Sequence, residues 1–351
     1  MLDPVTALAQ AKDPTYWTQL LASAPRPLDV DHVTYGVDGS GELPGADDVD
    51  RSSWTPDYAA RMTAEGWAPL GEVLGARARA VIRHAMDVVA QAGWLPTFAF
   101  ALDQLWLAGR AAGVHAQVGT ALGEGHRQIP DFWAYHIPVS GQAHGYRPHR
   151  ESKGPLLRPD GSPVSLTVWI PLNDATLDNG CMYVVPQQLD VVPPLTAAQQ
   201  RLYGQDGLHN ALLHRARALP TPAGHALSWN HHIRHWGSYS SPRATHPRMS
   251  MAFEYLRGDV TPGIHEHCQF LEERRARPPL VFDPAGPLPT FGQRLYLIGR
   301  QIMRYHEPPT DDGFKALGME LLRCGFPRGW GAKGSLGWRQ SLTRSGGPSS
   351  S

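Results

Sequence analysis

The stretch Ser165-Leu166-Thr167-Val168-Trp169-Ile170-Pro171-Leu172-Asn173-Asp174-Ala175-Thr176-Leu177-Asp178-Asn179-Gly180-Cys181-Met182-Tyr183-Val184-Val185-Pro186 decides how this chain is read. Leu166, Val168 and Ile170 alternate with Thr167 and Trp169, which is the period of a strand with two distinct faces. Pro171 terminates that strand. Asn179-Gly180 supplies a turn in which glycine tolerates positive φ. A second apolar run, Cys181 to Val185, ends at Pro186.

The same texture extends outward over about residues 131–255. FWAYHIPV begins at Phe132, ALSWNHH at Ala226 and MSMAFEYL at Met249, with Pro, Gly, Asn and Asp between them. Short runs with turn punctuation predict a sandwich or barrel. Upstream the period changes. Residues 56–62 predict a short helix ended by Gly66, followed by a short strand in WAPLGEVLG. Residues 76–92 place Ala80, Val81, Ala85, Val88 and Val89 at helical steps, up to Gly93. A further helix is expected over 97–112, and two more over 294–306 and 312–322.

The fold expected is α+β with a mainly β core, a double-stranded β-helix (jelly roll, cupin-like) with flanking helices on one face. Residues 1–55 read as an irregular N-terminal extension with one short helix near 14–22. Residues 56–260 read as the core with its N-terminal helices, 261–340 as a C-terminal helical extension and 341–351 as a disordered tail.

Composition excludes several classes. The 351 residues carry 32 Lys+Arg against 32 Asp+Glu, so no basic excess points to nucleic acid. There are 36 Gly and 32 Pro, where average usage gives about 42 together; a coiled coil or helical solenoid does not tolerate that. At 42% hydrophobic with 11 Trp, the chain is not disordered. Cys181, Cys268 and Cys324 are odd in number and far apart, so they predict neither a disulfide framework nor a zinc site. No signal peptide and no membrane span is read; a cytoplasmic protein, monomer or homodimer, is expected. The 17 His are a surplus, and histidine is the commonest metal ligand.

The metal reading starts at Pro148-His149-Arg150-Glu151. On a strand, residues i and i+2 share a face, so His149 and Glu151 can offer a nitrogen and an oxygen to one ion. A third ligand is sought in Trp229-Asn230-His231-His232-Ile233-Arg234-His235-Trp236-Gly237-Ser238. Two His and one carboxylate on one face, with open positions, form the facial triad of non-haem Fe(II) oxygenases. The open positions admit a bidentate 2-oxo acid and then O2. His231 and His235 both qualify at this point.

The long run from Ser165 to Pro186 resembles the phytanoyl-CoA dioxygenase family, with its strand ending W-I-P-L-x-D-A-T, its turn E-N-G-C and its strand ending V-V-P. The opening helix and strand, and the segment from Gly224 to Ser238, resemble it too, over roughly residues 56–256. The resemblance implies Fe(II) and 2-oxoglutarate as cofactors, with His149, Glu151 and His235 as metal ligands and catalytic centre. His235 is favoured because Gly237-Ser238 follow it. The family's Arg about 11 residues beyond the distal His implies Arg248 as anchor of the oxo acid's far carboxylate; here the spacing is 13. Arg suits that job through its bidentate fork. Arg243, in a turn, is the alternative anchor. Ser238, Thr167 and Trp169 are further candidates for cofactor contact, Trp169 equally a core residue. Glu151 stands where the family usually has Asp, and the retained acid implies hydroxylation or another oxidation rather than halogenation.

The activity expected is hydroxylation of a C–H bond of a small molecule, amino-acid-like or a natural product, with release of succinate and CO2. No nucleic-acid or membrane partner is expected. A zinc hydrolase using the same His/Glu/His set is an alternative, though no HExxH occurs; a non-catalytic jelly-roll binding module is another. His265-Glu266-His267-Cys268 reads as a solvated or structural decoy. His136 and His144 are candidates for the cavity mouth, and Arg294, Arg300 and Arg304 either frame it or pack internally.

Overall fold

A computed structural model describes residues 3–141, 143–151, 156–190, 213–262, 280–305 and 312–324. The His265–Cys268 cluster and the tail lie outside the described residues. Among the described residues there are eight strands: β1 (Trp67–Glu72), β2 (Arg127–Ile137), β3 (Ser165–Pro171), β4 (Met182–Val184), β5 (Arg217–Leu219), β6 (His225–Asn230), β7 (His235–Gly237) and β8 (Arg248–Leu256). They form a five-stranded sheet in the order β1-β6-β3-β8-β2 and a three-stranded sheet in the order β5-β4-β7. Every neighbouring pair is antiparallel.

The two strands of the opening stretch, β3 and β4, fall in different sheets. From β2 onward the chain crosses repeatedly between the sheets. An isolated antiparallel bridge between His149 and His235 adds a further position beside β7. This is the double-sheet connectivity of a jelly roll, with β1 added at one edge.

The alternation in β3 explains how it is buried on both faces. Leu166, Val168 and Ile170 join Phe132, Met251 and Phe253 in the core beneath the helices. Trp169 faces the other way, into the space between the sheets, with Trp229, Ala252, Met182 and Val184. Each fully buried aliphatic side chain contributes about 1.5–3 kcal/mol, so both faces fix the register of this strand.

The helices among the described residues are α1 (Pro4–Lys12), α2 (Pro14–Ser23), α3 (Tyr58–Glu65), α4 (Ala76–Gln91), α5 (Asp103–Ala108), α6 (Ala112–Leu122), α7 (Phe291–Arg304) and α8 (Asp312–Cys324). The N-terminal extension is more regular than expected. Asp3 and Asp13 each accept a backbone N–H at the start of a helix, and a proline follows each; this Asp-Pro pair is an N-cap signal. The single helix expected over 97–112 is instead a 3-10 turn at Pro96–Ala101, then α5, then α6. The chain bends there around Asp103, which accepts the N–H groups of Gly39 and Gly41 and pairs with Arg294 at 2.5 Å.

That pair also settles the C-terminal arginines. Arg294 and Arg300 are fully buried. Arg300 donates to the Pro130 carbonyl at 2.8 Å, and Arg304 lies 3.7 Å from Asp131. Arg294 fastens α7 to the bend at Asp103, and Arg300 and Arg304 fasten it against β2, rather than ringing a mouth.

Candidate metal centre

His149 and Glu151 sit just outside the smaller sheet. Their segment is not a continuous strand, as the spacing suggested, but a single bridge: His149 N–H donates to the His235 carbonyl at 3.1 Å, and the reverse bond measures 3.0 Å. One bridge is enough to bring the two imidazoles together, with ring centroids 4.4 Å apart. Glu151 Oε1 lies 3.0 Å from His235 Nε2 and 3.6 Å from His149 Nε2. One ligand atom from each of the three residues lies within 4.8 Å of the others. Bonds of about 2.1 Å at right angles separate ligand atoms by about 3 Å, so the set fits one divalent cation.

The electrostatics fit as well. His149 Nδ1 faces the Arg147 carbonyl at 2.6 Å, which leaves Nε2 turned toward Glu151. Burial opposes a proton on His149, but Glu151, aided by the Arg147 carbonyl and Glu254, outweighs it and raises this imidazole. Burial and the neighbouring His149 push His235 down. Burial alone would raise the Glu151 carboxyl; bonds from both histidines overrule it and hold it well below the usual range.

His231 does not join the set. The chain turns between β6 and β7, so His231 and His235 are not on one strand. His231 is fully buried, with Nδ1 2.9 Å from Ser165 Oγ and Nε2 3.2 Å from Thr167 Oγ1. His136 is on the helix-facing side of β2, in the field of Asp87. His144 pairs with Tyr239 through a bridge. Neither lines the cavity.

The triad opens into a cavity of about 560 Å³ that communicates with solvent. Arg248, Trp169 and Thr167 line it; Ser238 does not, and its hydroxyl lies against Tyr183. Arg248 is 1% exposed. It donates to the Gly180 carbonyl at 2.9 Å, and its guanidinium lies 5.8 and 5.7 Å from the ring centres of Tyr135 and Trp169. Its Nε is buried without a hydrogen-bond partner, and among the described residues no carboxylate pairs with it. Burial pushes it down to about 10. Arg243, by contrast, is exposed and pairs with Asp178 at 3.2 Å.

Sequence reasoning missed much of the cavity wall. Asp131, Trp133 and Tyr135 alternate along β2, Glu254 shares the inner face of β8 with Arg248, and Tyr146 and Tyr305 close one side. The period of β2 and β8 carried the signal for the first four. Nothing local announces Tyr305, which arrives only because α7 docks; its hydroxyl donates to Asp131 at 2.5 Å.

No curated protein sequence matches the chain. Solved structures similar to it include the non-heme alpha ketoglutarate dependent epimerase SnoN from nogalamycin biosynthesis, 18% identical, covering 57% of this chain and 79% of that one, with a TM-score of 0.41. The carbocyclase SnoK from nogalamycin biosynthesis is 17% identical, covering 68% and 96%, with a TM-score of 0.45. HygX from Streptomyces hygroscopicus, with nickel and 2-oxoglutarate bound, is 16% identical, covering 59% and 88%, with a TM-score of 0.44. Residues 76–243 match the family model Phytanoyl-CoA dioxygenase (PhyH), a span that contains His149, Glu151 and His235 and ends before Arg248. Over that segment, just under half of its length, the chain is similar to the phytanoyl-CoA dioxygenase family.

Proposed function

We propose that this protein is a non-haem Fe(II)- and 2-oxoglutarate-dependent dioxygenase that hydroxylates a C–H bond of a small molecule, with release of succinate and CO2. The observation that carries this reading is Arg248: a buried guanidinium with an unpartnered Nε, in the same cavity as two imidazoles and a carboxylate converging on one point. A dicarboxylate co-substrate needs such a cation for its far carboxylate, which the metal does not hold.

His149, Glu151 and His235 would hold the iron, which supplies the O2 chemistry when bound. The residues do the rest. The Arg147 carbonyl orients His149 through Nδ1. Arg248, kept flat between Tyr135 and Trp169, presents its edge to the far carboxylate of 2-oxoglutarate. Trp169, Trp229 and Met182 make that part of the cavity apolar and exclude water, which strengthens the charge pairing.

The test is turnover. Protein supplied with Fe(II), 2-oxoglutarate, O2 and candidate small molecules should form succinate, and one substrate should gain one oxygen atom by mass spectrometry. Succinate without oxygen transfer would assign a different oxidation. No succinate at all, together with metal-dependent hydrolysis by zinc-loaded protein, would overturn the reading.

A further inference from the structure

The inner face of β8 reads Arg248, Ser250, Ala252, Glu254. Its two ends carry opposite charges, both buried at 1% and 4% exposure, and the two residues between them are small. Six residues of strand separate the ends by about 20 Å. The cross-strand partners repeat this division. Ser250 lies opposite Tyr135, and Ala252 lies between Trp133 and Trp169. Glu254 lies directly opposite Thr167. Arg248, Ala252, Glu254, Thr167 and both tryptophans line the cavity. The cavity is therefore polarised along one strand: cationic at one end, anionic at the other, with His235 on the facing sheet and His149 and Glu151 beside it.

We propose, on the basis of the dioxygenase reading above, that the substrate carries a cationic group, an ammonium or guanidinium, which docks at the Glu254 end while the carboxylate of the oxo acid docks at Arg248. Aromatic rings flank the acidic end and suit a cation: Trp133 packs on Tyr305 at 4.6 Å and on Tyr146 at 5.6 Å. Among the groups around Glu254 are His231, with Nε2 at 3.8 Å, and Arg304 and His149, both raised in part by its charge; the carboxylate has other partners as well. Asp131 and Glu151 add negative charge on this side of the cavity, and Arg304 stands against them. The Tyr305 phenol is pushed far up, first by burial and then by Asp131, with Glu151 and Glu254 adding to it against Arg304. A carboxylate that is buried, already placed and on the cavity wall favours a cation over a neutral isostere by charge-assisted hydrogen bonding.

The experiment uses the full chain loaded anaerobically with Fe(II) and 2-oxoglutarate. Calorimetric titration with phenethylamine, 2-phenylethanol and phenylacetate compares one skeleton with three charges. The amine should bind about tenfold tighter than the alcohol, and the carboxylate weakest. Glu254→Gln should bring the amine to the level of the alcohol while 2-oxoglutarate still binds; Glu254→Asp should keep the preference. Equal affinities, no measurable amine binding, a preference for phenylacetate, or a preference that survives Glu254→Gln would each overturn the proposal. The wild-type panel decides this without relying on a variant's folding. If 2-oxoglutarate itself fails to bind the metal-loaded wild type, the dioxygenase reading falls and this proposal with it; if it binds and the amine is not preferred, only this proposal falls.

Discussion

Replacing Arg248 by Met should make the metal-free protein more stable and at the same time abolish its response to 2-oxoglutarate. The guanidinium is 1% exposed and pushed down to about 10 by burial. That shift corresponds to roughly 3 kcal/mol of desolvation that the surroundings do not repay. Met fills a similar volume without charge. Against the gain stand the bond to the Gly180 carbonyl at 2.9 Å, worth about 1 kcal/mol, and the contacts with Tyr135 and Trp169. The balance is a stabilisation of about 1–2 kcal/mol, in the range seen when buried charges are replaced by apolar residues. Urea denaturation of both proteins without metal measures it. With Fe(II) under anaerobic conditions, 2-oxoglutarate at 100 times its Kd should stabilise the wild type by about 2.7 kcal/mol and the variant not at all. A variant that is less stable by about 2 kcal/mol or more, or that is still stabilised by 2-oxoglutarate, would refute the assignment of Arg248 as a cation poised for an anionic ligand.

Metal binding should weaken with acid earlier than at an ordinary histidine site. Both imidazoles must be neutral to ligate; His149 is raised and His235 lowered, while Glu151 stays ionised. As pH falls through the raised His149 value, metal affinity measured by chelator competition should drop about tenfold per pH unit, with one proton released per metal; two protons would contradict the coupling. Gly180→Ala should destabilise the protein by about 2 kcal/mol or more in urea denaturation, since Gly180 has φ +91° and an added Cβ would come within 2.7 Å of the Ser238 carbonyl. Asp131→Asn should loosen α7, because the buried carboxylate accepts from Gln301 at 3.0 Å and from Tyr305 at 2.5 Å. Amide exchange in 291–304 should rise and stability fall by about 1–3 kcal/mol, with metal binding retained.

The parts of this fold that were legible are those in which burial follows a strict period. The two faces of 165–171 told β3 apart from a helix, and the residues on each face go where the alternation says. The Arg248 end of the cavity was legible because the resemblance supplied an Arg beyond the distal His. The His231 ambiguity could not be resolved from sequence: the same-face argument assumes a continuous strand, and the turn at 231–234 breaks it. The HxE segment shows the converse. It is no regular strand, yet one bridge to His235 brings His149 and Glu151 to one place beside it. Contacts made by docking distant elements were invisible. Asp103 with Arg294, and Asp131 with Tyr305, are 191 and 174 residues apart, and no local pattern marks such pairs. The acidic end of β8 was within reach, since Glu254 is six residues from Arg248 on the same face.

The most direct test of the central claim is an anaerobic titration of the metal-free protein with Fe(II) and then 2-oxoglutarate, followed in the visible range. The account predicts a weak charge-transfer band that develops only when both are present and saturates at one iron per chain, and that is lost in His149→Ala. A wild-type protein that binds Fe(II) without developing the band, or a His149→Ala variant that retains it, would contradict the account.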